Sequence, residues 1–290
     1  MTAAMQRAPD RGLLWRIEKD GRTSWLYGTM HIGQADWLAP GPHVRQALAQ
    51  VDTLALEVDL LDPATVAVFT TPADPAAVAR LITPERKRRL DAQASVACIP
   101  AGALGTMRPI LQAATLSALA SRADGLYGDF GSETFLSGLA RGSHKTVVAL
   151  ETAADQLMAL TGDSEAEEGE QIDGTLAELE SGRARSQSRV LANAWAHSDW
   201  ATLDSYLQWC ECQQTPSDQR LLKRLLDDRN PGLADGIARL HAQGHEVFGA
   251  VGALHMVGPL GLPALMAARG FKVTAVVPAA GAVAAARPLP

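Results

Sequence analysis

The sequence predicts an α/β protein: a central mixed, mostly parallel sheet with an N-terminal hairpin, flanking helices and an inserted helical block. Three observations predict it. Strand-like apolar runs occur at both ends of the chain, Leu13-Leu-Trp-Arg-Ile and Thr23-Ser-Trp-Leu-Tyr at one and Val247-Phe-Gly-Ala-Val and Phe271-Lys-Val-Thr-Ala-Val-Val at the other. Helix, strand and helix patterns alternate around Lys145-Thr-Val-Val-Ala-Leu, as crossover connections of a parallel sheet require. The stretch from about 152 to 244 is helical in pattern throughout. We read one domain over about 12–278, with that block inserted, and flexible tails at 1–11 and 279–290.

The elements follow in order. Asp20-Gly21 between two apolar runs is a hairpin signal, because both central residues of the tight turn need positive φ. Pro42 to Gln50 reads as a short helix, and Thr53-Leu-Ala-Leu-Glu57 as a buried strand ending in an acid. Thr83-Pro84-Glu85 starts a helix with threonine as cap and proline in first position. Its Lys87-Arg88-Arg89 cluster reads as a solvated face. Arg108-Pro109 opens an apolar helix to Ser121, which buries in the monomer or against a partner. A helix begins at Gly131-Ser132-Glu133, and the strand from Lys145 ends at a second acid, Glu151. Ser164-Glu-Ala-Glu167 is a capping box heading one long helix, acidic early and basic at Arg183, Arg185 and Arg189, which suits the helix dipole. Ser198-Asp199 caps the next helix, Ser217 starts another, Pro231 marks a boundary, and Gly244 ends the helix through Ala242.

Composition narrows the functional classes. The chain has 290 residues, 47% of them apolar, enough for a full core. A formal charge of −6 argues against a nucleic-acid partner, which would need a basic face. Three cysteines, Cys98, Cys210 and Cys212, without a Cys-x-x-Cys pair, predict free thiols in a reducing compartment. No apolar leader segment is visible at the N-terminus, so a cytoplasmic location is expected, or a periplasmic one if a leader was removed. Val247 to Ala268 lacks acidic and basic residues, yet its four glycines and two prolines predict strand, turn and helix, not a membrane span.

Two short motifs carry chemistry. Gly28-Thr-Met-His31 and Gly252-Ala-Leu-His255 each end a strand-like run in a turn. Such a turn projects its histidine from the C-terminal edge of the sheet, where open α/β sheets place their ligands. Glu57 and Glu151 end strands at the same level, with Glu133 and Arg229 at helix ends near them in the pattern. Two imidazoles with one or two carboxylates suit a divalent transition metal with open sites for water. The spacing His241-x-x-x-His245 is also that of metal ligands, but Gly244 interrupts the helix between them. No Gly-x-Ser-x-Gly elbow, His-Glu-x-x-His, P-loop or Gly-x-Gly-x-x-Gly pattern is present.

In order, Tyr27-Gly-Thr-Met-His31, Leu56-Glu57, Gly131-Ser-Glu133-Thr-Phe-Leu, Leu150-Glu151-Thr152, Trp195 with Asp199, Arg229-Asn230 and Val251-Gly-Ala-Leu-His255-Met-Val-Gly258 resemble the TraB/GumN (PrgY) family. That family is related to the Tiki proteases and more distantly to ChaN-like and erythromycin-esterase-like proteins. Ser198, where the family has glycine, and the Ser143-His144-Lys145 turn depart from the pattern without touching the proposed centre. The resemblance implies one centre built from both turns and a glutamate. Tiki-like members are divalent-metal-dependent proteases; other relatives bind haem or iron, or act in pheromone inhibition. The expectation is a metal-dependent hydrolase acting on a peptide or protein, with Zn, Mn, Co or Fe held by His31, His255 and Glu57. Glu151 or Glu133 would be the base and Arg229 the electrophilic support. The alternative is a non-catalytic binder of a peptide or of haem or iron.

Overall fold

In the computed structural model, which describes residues 7–279, the Asp20-Gly21 hairpin forms as the sequence predicts. Strands β1 (Leu13–Lys19) and β2 (Arg22–Thr29) pair antiparallel with Lys19 opposite Arg22. Asp20 and Gly21 take φ of 51° and 74°, the left-handed pair this turn demands. β3 (Thr53–Leu56), β4 (Thr146–Ala149), β5 (Val247–Gly252) and β6 (Lys272–Val277) complete one sheet in the order β4-β3-β5-β2-β1-β6. The pairs β4/β3, β3/β5 and β5/β2 are parallel, and β2/β1 and β1/β6 antiparallel.

Side-chain alternation along the strands supplies two cores, one per face. Leu14, Trp25, Tyr27, Leu54, Leu56 and Phe248 pack on one side; Leu13, Trp15, Leu26, Ala55, Val247 and Val251 pack on the other. β3 and β5 are buried on both faces, which explains their continuous apolar runs. A third core, with Leu90, Leu116, Leu157, Ile172 and Leu176, lies among helices Pro84–Val96, Pro109–Ala120, Ala153–Thr161 and Glu165–Ser181. Those helices bury Ile110, Leu111 and Leu116 of the apolar segment after Arg108 inside the monomer.

Several expectations change. The long helix from Ser164 is two helices, Glu165–Ser181 and Arg183–Ala196, broken at Gly182 with φ of 78°. Ser164 caps the first of them through the N–H of Glu167, but the Glu167 carboxylate accepts from the N–H of Asp163 instead of closing the box. The Lys87-Arg88-Arg89 cluster divides: Lys87 and Arg88 face solvent, whereas Arg89, 17% exposed, reaches Asp173 and Glu180 on the neighbouring helix. Thr215, not Ser217, caps helix Pro216–Leu222, and Pro231 sits in the first turn of helix Asn230–Ala242, where its missing N–H costs nothing.

The free-thiol reading holds for Cys98, which is free and exposed, and fails for Cys210 and Cys212, which form a disulfide. A turn at Glu211, with φ of 50°, brings their Cα atoms to 5.0 Å, within reach of a bridge. Residues 10 and 11, within the segment read as a flexible tail, make specific contacts. Asp10 caps helix Pro42–Ala49 by accepting from the N–H groups of His43 and Val44, and the carbonyl of Arg11 accepts from the Tyr27 hydroxyl at 3.0 Å. The same reading for 1–6 and 280–290 lies outside the described residues. Among the described residues no helix is long and apolar enough to cross a membrane. Val247 to Ala268 folds as β5, a short turn of 3-10 helix and helix Leu262–Ala268.

Candidate functional site

The parallel pairing of β2 with β5 sets Thr29 beside Gly252, so both Gly-x-x-His turns leave the sheet side by side. Leu56 pairs with Ala250 and with Ala149, which brings the ends of β3 and β4 to the same edge. His31, Glu57, Glu151 and His255 therefore follow strands that stop level with one another. A Cβ on Gly28 would stand 3.1 Å from the Cα of Ala253, so the close approach of the two turns depends on glycine there. The carbonyl of Gly28 accepts from the Trp195 indole at 2.7 Å, which anchors the first turn to the helical block.

His31 sits at the mouth, its side chain 74% exposed. The backbone of Met30 exchanges hydrogen bonds with Ser132: its N–H donates to the hydroxyl and its carbonyl accepts from the Ser132 N–H. That attachment brings Glu133 to the ring, with Oε1 2.7 Å from Nδ1 of His31. The carboxylate of Glu133 raises the His31 pKa to about 9, against the opposing effect of desolvation. Because the ring is largely exposed, water weakens this interaction. Glu133, in turn, is pushed up by burial but held below the usual carboxylate range by His31.

His255 differs in burial and in charge. It is buried, with its side chain 4% exposed, and its Nδ1 is 2.6 Å from Oδ1 of Asn230. The Asn230 amide nitrogen donates to the carbonyl of Leu260 at 2.8 Å, so the amide oxygen is the acceptor facing the ring. Nδ1 of His255 must then carry the proton, and Nε2 keeps a lone pair 3.9 Å from Oε1 of Glu57. Burial lowers the His255 pKa to about 4, outweighing the attraction of Glu57, so the ring is neutral at pH 7.

Glu57 is the hub. Its Oε1 accepts from the N–H of Gly252 at 2.6 Å, and its Oε2 accepts from Arg229 and from Gln156. Burial alone would raise its pKa; His255 and His31 in their protonated forms, with Arg229 and the Gly252 N–H, bring it to about 2. Glu151 stands behind, accepting from Nε and Nη2 of Arg229 and from Gln156. Arg229 also donates through Nη1 to the carbonyl of Leu225 at 2.9 Å. Burial disfavours its charge, but Glu151 and Glu57 more than compensate and raise its pKa. The guanidinium is first a clamp on two carboxylates.

These groups meet at a cleft of about 380 Å³ lined by His31, Glu57, Arg229 and His255, with Gln156 and Thr29 beside them. Of the six residues singled out in the sequence, those four reach the cleft, while Glu133 and Glu151 support them from behind. Among the described residues, no three His, Cys, Asp or Glu side chains are already gathered as a metal cage. His241 and His245 lie elsewhere: His241 contacts Ser24 and the carbonyl of Lys19, and His245 contacts Asp52. Sequence reasoning missed Gln156 and gave Asn230 no role. Gln156 belongs to no motif, and the signal for Asn230 is its place in the Arg229-Asn230 pair that carries part of the family resemblance.

Comparison with protein families places the chain plainly: it belongs to the TraB/PrgY/gumN family, whose profile matches residues 13–275. Curated proteins and solved structures yield no match to the chain.

Proposed function

We propose that the protein is a divalent-metal-dependent hydrolase acting on a peptide or protein. The observation that supports this reading is that two imidazoles from opposite ends of the chain line one cleft, each with Nδ1 against an acceptor. Glu133 backs His31 and Asn230 backs His255. Histidines that bind metals are held in this way, the second nitrogen being oriented by a carboxylate or an amide oxygen.

The residues fit such an ion. Neutral His255 offers Nε2, Glu57 is ionised at any physiological pH, and His31 offers Nε2 once its proton is displaced. Two nitrogens and one oxygen are a donor set for Zn, Mn, Co or Fe, and the ion would supply an activated water near neutral pH. His31, His255 and Glu57 would hold it.

The chain's other groups divide the remaining work. Arg229 and the Gly252 N–H keep Glu57 charged and fixed. Arg229 retains one Nη1–H without a partner among the described residues, available to a substrate oxygen on which negative charge develops. The role of proton acceptor is that of Glu133 or Glu151; Oε1 of Glu133 lies on His31, and the oxygens of Glu151 accept from Arg229 and Gln156.

The test is metal content of purified protein beside the His31→Ala and His255→Ala variants, with cleavage of a mixed peptide library before and after chelation. Metal lost in both variants, and cleavage lost on chelation, supports the reading. Equal metal in all three proteins overturns it. A non-catalytic binder of a peptide or of haem or iron is favoured by one observation, that each carboxylate of the centre already has a cationic or amide partner. Metal retained without cleavage of any peptide selects that alternative.

A further inference from the structure

Much of the cleft lining is apolar. Met30, Leu160, Leu191, Leu225, Leu226 and Leu254 converge there from separate segments. All but Met30 are only partly buried, and Leu225, Leu226 and Leu254 join none of the three cores. Leucines that line a cleft while only partly buried leave apolar surface that the described residues do not cover. The cleft volume of about 380 Å³ is that of a small-molecule pocket, in which apolar walls bind and a few polar groups orient.

The backbone that presents this wall is irregular. Helix Pro216–Leu222 runs into a π-helical turn, Lys223–Asp227, in which the N–H of Asp228 donates to the carbonyl of Lys223. Turns of this kind inside helices are frequent at functional sites. Successive residues of an α-helix point about 100° apart, yet Leu225 and Leu226 both line the cleft, together with Arg229. Arg224 turns the other way, to Glu167. The carbonyl of Leu225 meanwhile accepts from Arg229, so the same turn joins the apolar wall to the polar floor.

The charges of the floor already have partners: Glu57 and Glu151 share Arg229, and Glu133 pairs with His31. A charged substrate side chain entering here would lose its hydration and have to compete with ion pairs already made, whereas an aliphatic or aromatic one would bury its surface.

We propose that the leucine wall is a specificity pocket for a large aliphatic or aromatic side chain of a peptide, and that Leu225 and Leu226 set the preference. The inference rests on the proposed function only in taking the ligand to be a peptide; it does not require that the peptide be cleaved.

The test is a binding selection without catalysis. Chelator-treated full-length protein is equilibrated with a pool of end-blocked synthetic tetrapeptides, and the retained fraction is sequenced by mass spectrometry. Leu, Ile, Met or Phe should be enriched about 10-fold or more over Asp and Lys at one position. Leu226→Asn and Leu225→Asn should abolish the enrichment, while Leu226→Met, which keeps the volume and apolarity, should preserve it; circular dichroism checks that each variant is folded. No enrichment, no retained peptide, or enrichment unchanged in folded Asn variants would overturn the proposal. Enrichment together with no metal-dependent cleavage would leave the pocket standing and remove the hydrolase reading, so the two failures are separable.

Discussion

Asn230 Oδ1 lies 2.6 Å from Nδ1 of His255, and the same amide donates to the carbonyl of Leu260. This relay assigns the proton of a buried, neutral imidazole to Nδ1 and leaves the lone pair on Nε2, 3.9 Å from Oε1 of Glu57. Removing the acceptor should cost affinity for a metal even though Asn230 is not a ligand. For Asn230→Ala we expect divalent-metal affinity to fall about 10–100-fold, measured by calorimetric titration at fixed pH. Affinity equal to that of the parent would mean that the amide does not orient the ring.

Glu133 makes a second, opposite prediction at His31. The carboxylate raises the His31 pKa toward about 9, so the pair contributes stability that is present below the ordinary histidine pKa of about 6.5 and is lost as pH rises through about 9. In Glu133→Gln the ring should titrate lower, near the ordinary value. Histidine-selective NMR of metal-free protein reads the change directly, and an unchanged midpoint would remove Glu133 as the cause.

Arg229 bridges Glu57 and Glu151, all three side chains being less than 15% exposed. Arg229→Met strands two buried carboxylates against each other. The expected loss is about 3–5 kcal/mol of unfolding free energy, as for other buried pairs broken on one side, followed by denaturant titration. Arg229→Lys should recover part of it, since an ammonium keeps the charge but not the forked geometry. Full stability in Arg229→Met would show that the clamp does not hold the centre together.

Away from the cleft, Glu167 predicts acid sensitivity. The N–H of Asp163 and the guanidinium of Arg220 hold its pKa to about 2 against burial, with help from Arg224. A depressed folded-state pKa contributes stability above the ordinary carboxylate value, lost as pH falls through about 2. Glu167→Gln should flatten the decline of melting temperature between pH 5 and 2. A decline as steep as in the parent would place the acid-labile group elsewhere.

The elements most legible in the sequence were those governed by local rules. Asp20-Gly21 needs positive φ whatever surrounds it, Thr83-Pro84 caps a helix by itself, and the apolar runs of β3 and β5 announce strands buried on both faces. The misreadings share a cause as well. Gly182 could have continued a helix or broken it, and Arg89 could have faced water or Asp173; each was decided by what packs alongside. The Cys210–Cys212 bridge depended on a left-handed turn at Glu211 that no residue pattern announced.

For the site, the sequence by itself determined which residues stand at strand ends: His31, Glu57, Glu151 and His255 each follow an apolar run at short range. Only the tertiary structure decided that they meet, because the meeting requires β5 to insert between β2 and β3 and pair Gly252 with Thr29 across more than two hundred residues. It also divided their labour. Arg229 became a clamp, Glu133 a partner of His31, and Asn230, Gln156 and two leucines of a π turn became part of the centre. Periodicity reports the face a residue presents within its own element; the partner across that face is set by long-range packing, which leaves no local trace in the chain.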